Sequence, residues 1–179
     1  MAGEPACFNP PIPADVLIAL GTNLGDRAGN LRAALAALSR FADIDAVSRV
    51  YETEPIGFRD QPVYWNLVVR AHTSLEPVAL FRALKQVEQE MGRRETFRNA
   101  PRVIDLDLIA YDELVLRTAT LEIPHPRMHE RTFVLYPLAE VAPSFRHPES
   151  GHDIDQLIRE LGAPSRAIAL EDALAEKHE

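Results

Sequence analysis

The stretch Arg98-Asn99-Ala100-Pro101-Arg102-Val103-Ile104-Asp105-Leu106-Asp107-Leu108-Ile109 constrains this chain more than any other, because it interleaves carboxylates with aliphatic residues directly after an arginine-rich loop. Side chains alternate across a strand, so Asp105 and Asp107 share one face while Ile104, Leu106 and Leu108 point to the other side and into a core. Two positions along one strand hold their Cβ atoms about 6.5 to 7 Å apart. That separation lets both carboxylates reach a single Mg²⁺ or flank a pair of ions. The plainer reading is a strand end with solvated carboxylates. The wholly apolar opposite face, and the repulsion between like charges on one face, favour a cation between them. Upstream, Arg93, Arg94, Arg98 and Arg102 crowd into ten residues of a chain with net charge −8. Arginines on a loop are usually solvated surface, but a cationic loop abutting aspartates in an acidic protein favours contact with phosphate.

The bulk numbers bound the rest. With 179 residues and 46% hydrophobic content, the chain suits one domain with its own core. An isoelectric point near 5.3 argues against a nucleic-acid partner, since such proteins carry a basic face. Cys7, the single cysteine, leaves no disulfide framework and no thiolate metal site, which points to a reducing compartment. No apolar run reaches the roughly 18 residues that span a bilayer, and Glu4 and the prolines near the start are unlike a signal peptide. The expectation is a cytoplasmic protein with no membrane partner.

Residues 1–14, rich in proline and without apolar periodicity, read as a flexible N-terminal extension, followed by one domain over 15–165 and a charged tail over 166–179. Asp15 to Leu20 is an apolar strand that stops at Gly21, and Arg27 to Phe41 has helical spacing. Ile44 to Tyr51 and Pro62 to Thr73 read as strands, Glu76 to Met91 as an amphipathic helix ended by Gly92, and Val103 to Tyr111 as the aspartate strand. Leu114 to Leu116 follows a turn, Thr132 to Val141 is apolar enough for a buried helix, and Ile154 to Leu161 is a short amphipathic one. The order β-α-β-β-α-β predicts an α+β, ferredoxin-like sandwich: a mainly antiparallel sheet with helices packed on it.

Several smaller motifs admit two readings. Gly21-Thr22-Asn23-Leu24-Gly25-Asp26 follows a strand and precedes a helix, so its N–H groups could face an anion; a tight turn with Asp26 as helix N-cap is the stronger local reading. His125, rigid between Pro124 and Pro126 and followed by Arg127, His129 and Arg131, is equally a structural residue or part of a polyphosphate clamp. Tyr64 and Asn66 share a strand face behind a loop with Thr53, Pro55 and Gly57. An aromatic and an amide could bind a flat heteroaromatic ring, although a core tyrosine and a capped amide explain them as well. No pattern for nucleophilic catalysis stands out.

Taken together these blocks resemble the 6-hydroxymethyl-7,8-dihydropterin pyrophosphokinases of folate synthesis, over about Val16 to Pro143. Arg98 to Ile109 satisfies every position of that family's signature. Gly21 to Asp26, Tyr51 to Asn66, and Pro124-His125-Pro126-Arg127-Met128-His129-Glu130-Arg131 with Phe133 follow its order. The resemblance implies transfer of pyrophosphate from ATP to the pterin hydroxymethyl group, giving the pterin diphosphate and AMP, by a monomer. It implies two Mg²⁺ ions on Asp105 and Asp107, with Arg93, Arg102, His125 and Arg131 on the triphosphate and Glu88 contacting the nucleotide. Tyr64 and Phe133 would sandwich the pterin, while Asn66 and the backbone near Thr53, Pro55 and Gly21 would read its polar edge. Gly92 to Ala100 has the makings of a lid. Three positions depart from the family: Asn99 where some members have tryptophan, with Phe97 as a possible substitute; Lys85 where a glutamine contacts nucleotide; and Pro126 where others have an aromatic residue. The alternatives are a non-catalytic nucleotide- or pterin-binding protein of the same fold, and another Mg²⁺-dependent phosphoryl transferase.

Overall fold

β1 (Ala14–Thr22) is a continuous apolar run because it is paired on both edges and covered on both faces. This computed structural model describes residues 12–55, 60–93, 100–161 and 167–175. Most of the extension expected over 1–14, together with Gly57, Arg94, Phe97, Arg98 and Asn99, lies outside the described residues.

α1 (Arg27–Leu38), β2 (Asp43–Val47), β3 (Val50–Thr53), β4 (Tyr64–Thr73), α2 (Pro77–Glu90) and β5 (Asp105–Tyr111) follow β1 in that order. The neighbours in the sheet run β5-β1-β4-β3, all antiparallel, with β2 also paired to β4. The chain therefore crosses over β4 through α1 and over β1 through α2, which is the expected ferredoxin-like plan. After β5 come the small hairpin β6 (Leu116–Arg117) and β7 (Glu122–Ile123), a 3₁₀ turn (Met128–Glu130), α3 (Thr132–Val141), α4 (Ile154–Glu160) and β8 (Ala167–Leu170).

Two cores sandwich the sheet. On one face Leu31, Ala34 and Leu38 of α1 and Leu80, Leu84 and Val87 of α2 meet Ile18, Leu20, Leu67, Val69 and Leu106. On the other, Val134, Leu135 and Leu138 of α3 and Leu157 of α4 meet Leu17, Val68 and Ile109. Caps fix the helix starts: Asp26 accepts from the Gly29 N–H at 2.9 Å, and Asp153 forms a reciprocal capping box with Gln156. Gly92, at φ +87°, supplies the left-handed residue that ends α2.

The structure corrects three readings. Ile44 to Tyr51 is two strands, because at Ser48 the hydroxyl accepts from the Val68 N–H at 3.0 Å and at Arg49 the N–H turns to Glu140 at 2.8 Å, so the ladder breaks there. The aspartate strand begins at Asp105, two residues later than Val103. The stretch read as a charged tail contains β8, which pairs with β3; four residues are too few for a periodic signal.

The break at Ser48 and Arg49 also clamps α3 to the sheet. Glu140 of α3 accepts from the Tyr51 hydroxyl and from the Arg49 guanidinium, whose Nη2 is 2.8 Å away, and Arg49 reaches Glu171 at 3.0 Å. Burial, and then Glu140, push the Tyr51 phenol up to about 12. Burial alone would raise the Glu140 carboxyl, but Tyr51 and Arg49 hold it below its ordinary value of 4.5. A depressed native carboxyl stabilises the fold above the unfolded value, and that stabilisation is lost as pH falls through the lower native one. Tyr51→Phe is expected to cost about 1 to 2 kcal/mol at neutral pH. Urea unfolding should show the gap to wild type closing as the pH is taken well below 4.5.

Candidate active site

The register of β1 builds the floor of a cleft. Gly21 lies opposite Asn66 on β4 and Asp105 on β5, and Ala19 lies opposite Val68 and Asp107. Antiparallel partners point to the same side, so both aspartates share the α3 face of the sheet with Asn66, and only small residues separate them. Gly21 has a steric reason to be glycine, since a Cβ there would sit 2.8 Å from the Asn66 Oδ1. The Asn66 amide donates to Thr53 Oγ1 at 2.8 Å, which fixes its orientation.

A cavity opens above this floor, lined by Gly21, Thr53, Tyr64, Asn66, Arg102, Phe133 and both aspartates among others. Tyr64 holds one wall, its hydroxyl 3.3 Å from the Ala100 carbonyl, and burial raises its phenol. Phe133 stands in the first turn of α3 with the Arg131 guanidinium 5.5 Å from its ring centre. Glu54, Arg127, Ala19 and Val134 also line this cavity. Ala19 was legible as the residue two before Gly21 on the same strand face; Glu54 and Arg127 carried no signal beyond adjacency to Thr53 and His125. The turn after β1 acts as a stitch: buried Asn23 donates to Gln61 Oε1 at 2.8 Å and to the Pro62 carbonyl at 3.0 Å, and accepts from the Arg102 N–H at 2.8 Å. Pro55 lies on the loop beyond Thr53.

Cations surround the carboxylates. Asp105 meets Arg93 Nη1 at 2.6 Å and Arg102 Nη1 at 2.5 Å. Burial works against its charge, yet Arg102 and Arg93 hold its carboxyl below the usual range. Asp107 has Lys85 Nζ at 3.7 Å from Oδ1, and Arg131 Nη1 and His125 Nε2 at 3.6 and 4.0 Å from Oδ2. His125 Nδ1 accepts from the Arg127 N–H at 3.1 Å, which puts the proton of the neutral ring on Nε2, toward Asp107. Burial lowers the proton affinity of His125. Among the described residues, buried Arg131 Nε has no hydrogen-bond partner, an orphan donor of the kind an anionic ligand satisfies.

Glu88, 3% exposed, stands behind β5 rather than in the cavity. Its Oε1 accepts from the Leu106 N–H at 2.6 Å and from Lys85 at 2.8 Å, and its Oε2 pairs with Arg93. A second cavity also touches Asp107 and is lined by Phe81, Lys85, Leu108, Leu121, His125 and Pro126 among others. Asp107 thus borders both cavities. Among the described residues no group of three or more His, Cys, Asp or Glu side chains could hold a metal alone. Two carboxylates beside a cationic, phosphate-ready wall do fit Mg²⁺, which binds through one or two carboxylates completed by water and substrate phosphates.

The model of the 7,8-dihydro-6-hydroxymethylpterin-pyrophosphokinase family matches residues 17–143. The chain is 42% identical over 135 residues to the 2-amino-4-hydroxy-6-hydroxymethyldihydropteridine pyrophosphokinase of Aquifex aeolicus, covering 75% of this chain and 84% of that protein. It is 46% identical over 133 residues to the folic acid synthesis protein FOL1 of Dictyostelium discoideum, covering 74% of this chain but 20% of that much longer protein. Among solved structures, a Plasmodium falciparum HPPK-DHPS with pterin and p-hydrobenzoate superposes with a TM-score of 0.66 at 16% identity, over 83% of this chain and 44% of that one. At that identity the likeness speaks for the fold.

The buried carboxylate behind β5 makes a direct stability prediction. Glu88→Ala strands Lys85 and Arg93 without their shared counter-ion and is expected to destabilise the protein by about 3 kcal/mol in urea unfolding. A loss below about 0.5 kcal/mol, the size of an ordinary surface change, would contradict this account of Glu88.

Proposed function

The chain belongs to the 7,8-dihydro-6-hydroxymethylpterin-pyrophosphokinase family, and from that membership we propose how its cleft moves pyrophosphate from ATP to 6-hydroxymethyl-7,8-dihydropterin in folate synthesis. The observation that carries this reading is Asp107, which borders both cavities. A triphosphate lying along Asp107, His125 and Arg131 has one cavity at each end, and the two differ in chemistry. The cavity between Tyr64 and Phe133, with the Asn66 amide, Thr53 and Gly21 in its lining, suits a flat ring with alternating donors and acceptors, and the loop that carries Pro55 leaves the sheet just beyond Thr53. The cavity with Phe81, Leu108 and Leu121 suits a nucleoside.

In the proposed reaction the pterin hydroxymethyl oxygen attacks the β-phosphorus of ATP. An O–P bond forms, the bond from the β-phosphorus to the oxygen bridging it to the α-phosphate breaks, AMP leaves with that oxygen, and the hydroxyl proton passes to solvent water. Arg93 and Arg102 turn from Asp105 to the phosphates, Arg131 neutralises the charge that gathers on the departing oxygen, and the neutral His125 donates its Nε2–H to a phosphate oxygen. Asp105 and Asp107 hold magnesium, two ions in this proposal, which supplies charge neutralisation on the phosphate oxygens. Glu88 keeps Lys85 and Arg93 in register. Positioning of the two substrates carries the rest of the rate enhancement, and no general base is assigned.

A single cysteine and, among the described residues, no helix long and apolar enough to cross a membrane support the cytoplasm as the site of action. A non-catalytic binding protein would have little use for Asp105, Asp107, Arg102 and His125 converging between two cavities.

AMP release from ATP and Mg²⁺ should require the pterin and fall by about a thousandfold or more in Asp107→Ala. Nucleotide binding without pterin-dependent AMP release in wild type would favour the binding-protein alternative. Gly21→Ala should push the Asn66 amide aside, because the new Cβ would lie 2.8 Å from Oδ1. Steady-state kinetics should then show the pterin KM raised by about tenfold, with the ATP KM changed far less.

A further inference from the structure

The four cations around the two aspartates, and the neutral His125 imidazole beside them, are not equivalent. Arg131 and His125 stand 3.6 and 4.0 Å from Asp107 Oδ2, too far for a hydrogen bond, and both can turn to an incoming anion. Lys85 is different. Its ammonium donates to Glu88 Oε1 at 2.8 Å and to the Leu106 carbonyl at 2.8 Å, and faces Asp107 Oδ1 at 3.7 Å. An ammonium has three donors, and two are spent on a buried carboxylate and a strand carbonyl. Its stem lies beside Phe81, with Nζ 5.6 Å from the ring centre. Withdrawal from Asp107 would leave both Glu88 Oε1 and the Leu106 carbonyl short of a partner, so the charge stays.

We propose that Lys85 is a fixed counter-ion of Asp107 that suppresses binding of bare divalent metal to the free protein and makes metal loading depend on the nucleotide. The proposal rests on the reading of Asp105 and Asp107 as metal ligands and assigns Lys85 a positioning role toward that site. A bare dication approaching Asp107 meets a permanent positive charge on the next oxygen. A metal carried by a triphosphate arrives as part of an anion, for which the same ammonium is attractive. Lys85 lines the cavity assigned to the nucleoside, so it stands where both effects are felt.

The test uses Mn²⁺ as the probe, with binding read from the electron paramagnetic resonance of the free ion, in the presence and absence of a non-hydrolysable ATP analogue. Lys85→Met and Lys85→Gln are expected to bind bare Mn²⁺ about tenfold tighter than wild type. In both, the tightening produced by the analogue should shrink by a similar factor. Lys85→Arg, which keeps the charge, should match wild type. A residue that merely braces the site would give the opposite sign, weaker Mn²⁺ binding on its removal. Thermal melts confirm that each variant is folded, and two neutral variants guard against one that is not. Bare Mn²⁺ binding that is unchanged or weaker in both neutral variants overturns the proposal. Asp107→Ala separates the two layers of the argument: undiminished Mn²⁺ binding in that variant with the analogue present overturns the metal reading itself.

Discussion

Everything in the cleft hangs on the pairing of β1 with both of its neighbours. The register places Gly21 between Asn66 and Asp105, and Ala19 between Val68 and Asp107, so groups from strands far apart in sequence stand in rows on one face. Small residues at those two positions leave room above the sheet, and the apolar residues that alternate with them, Ile18 and Leu20, anchor the strand from below. A one-residue slip of β1 would swap the faces and bury the floor of the cleft in the α1 and α2 core. The same strand thus supplies stability on one side and space on the other.

Charge is the second organising element. Glu88, Asp105 and Asp107 form an acidic row behind and within the cleft, answered by Lys85, Arg93, Arg102 and Arg131. Half-buried ion pairs of this kind contribute little net stability, because desolvation offsets most of the attraction. Their arrangement makes more sense as a set of exchangeable partners. In the proposed reaction, the arginines now on Asp105 turn to phosphates and the carboxylate they leave takes a metal. Glu88, whose oxygens are both engaged inside the protein, is the fixed end of that exchange.

Periodicity made the central features legible. Alternation in Ile104 to Leu108 put both aspartates on one face, and the structure has them there, flanked by Leu106 and Leu108 in the opposite core. The Asp26 cap and the helices around it also followed from local chemistry. Other features depended on distant partners. A glutamate on an amphipathic helix such as α2 reads as surface, and only the Leu106 N–H and Arg93 reveal Glu88 as buried. The break at Ser48 needs Glu140, about ninety residues away, to be understood. The second cavity gathers residues from α2, β5 and the segment after β6, a convergence that no local pattern announces.

In the proposed function, Asp105 and Asp107 stand between a pterin site and a nucleotide site. A crystal structure with Mg²⁺, a non-hydrolysable ATP analogue and 6-hydroxymethylpterin tests it most directly. Magnesium is expected on both aspartates, the pterin ring between Tyr64 and Phe133, and the nucleoside against Phe81. Metal bound away from Asp105 and Asp107, or both ligands sharing one cavity, would contradict it.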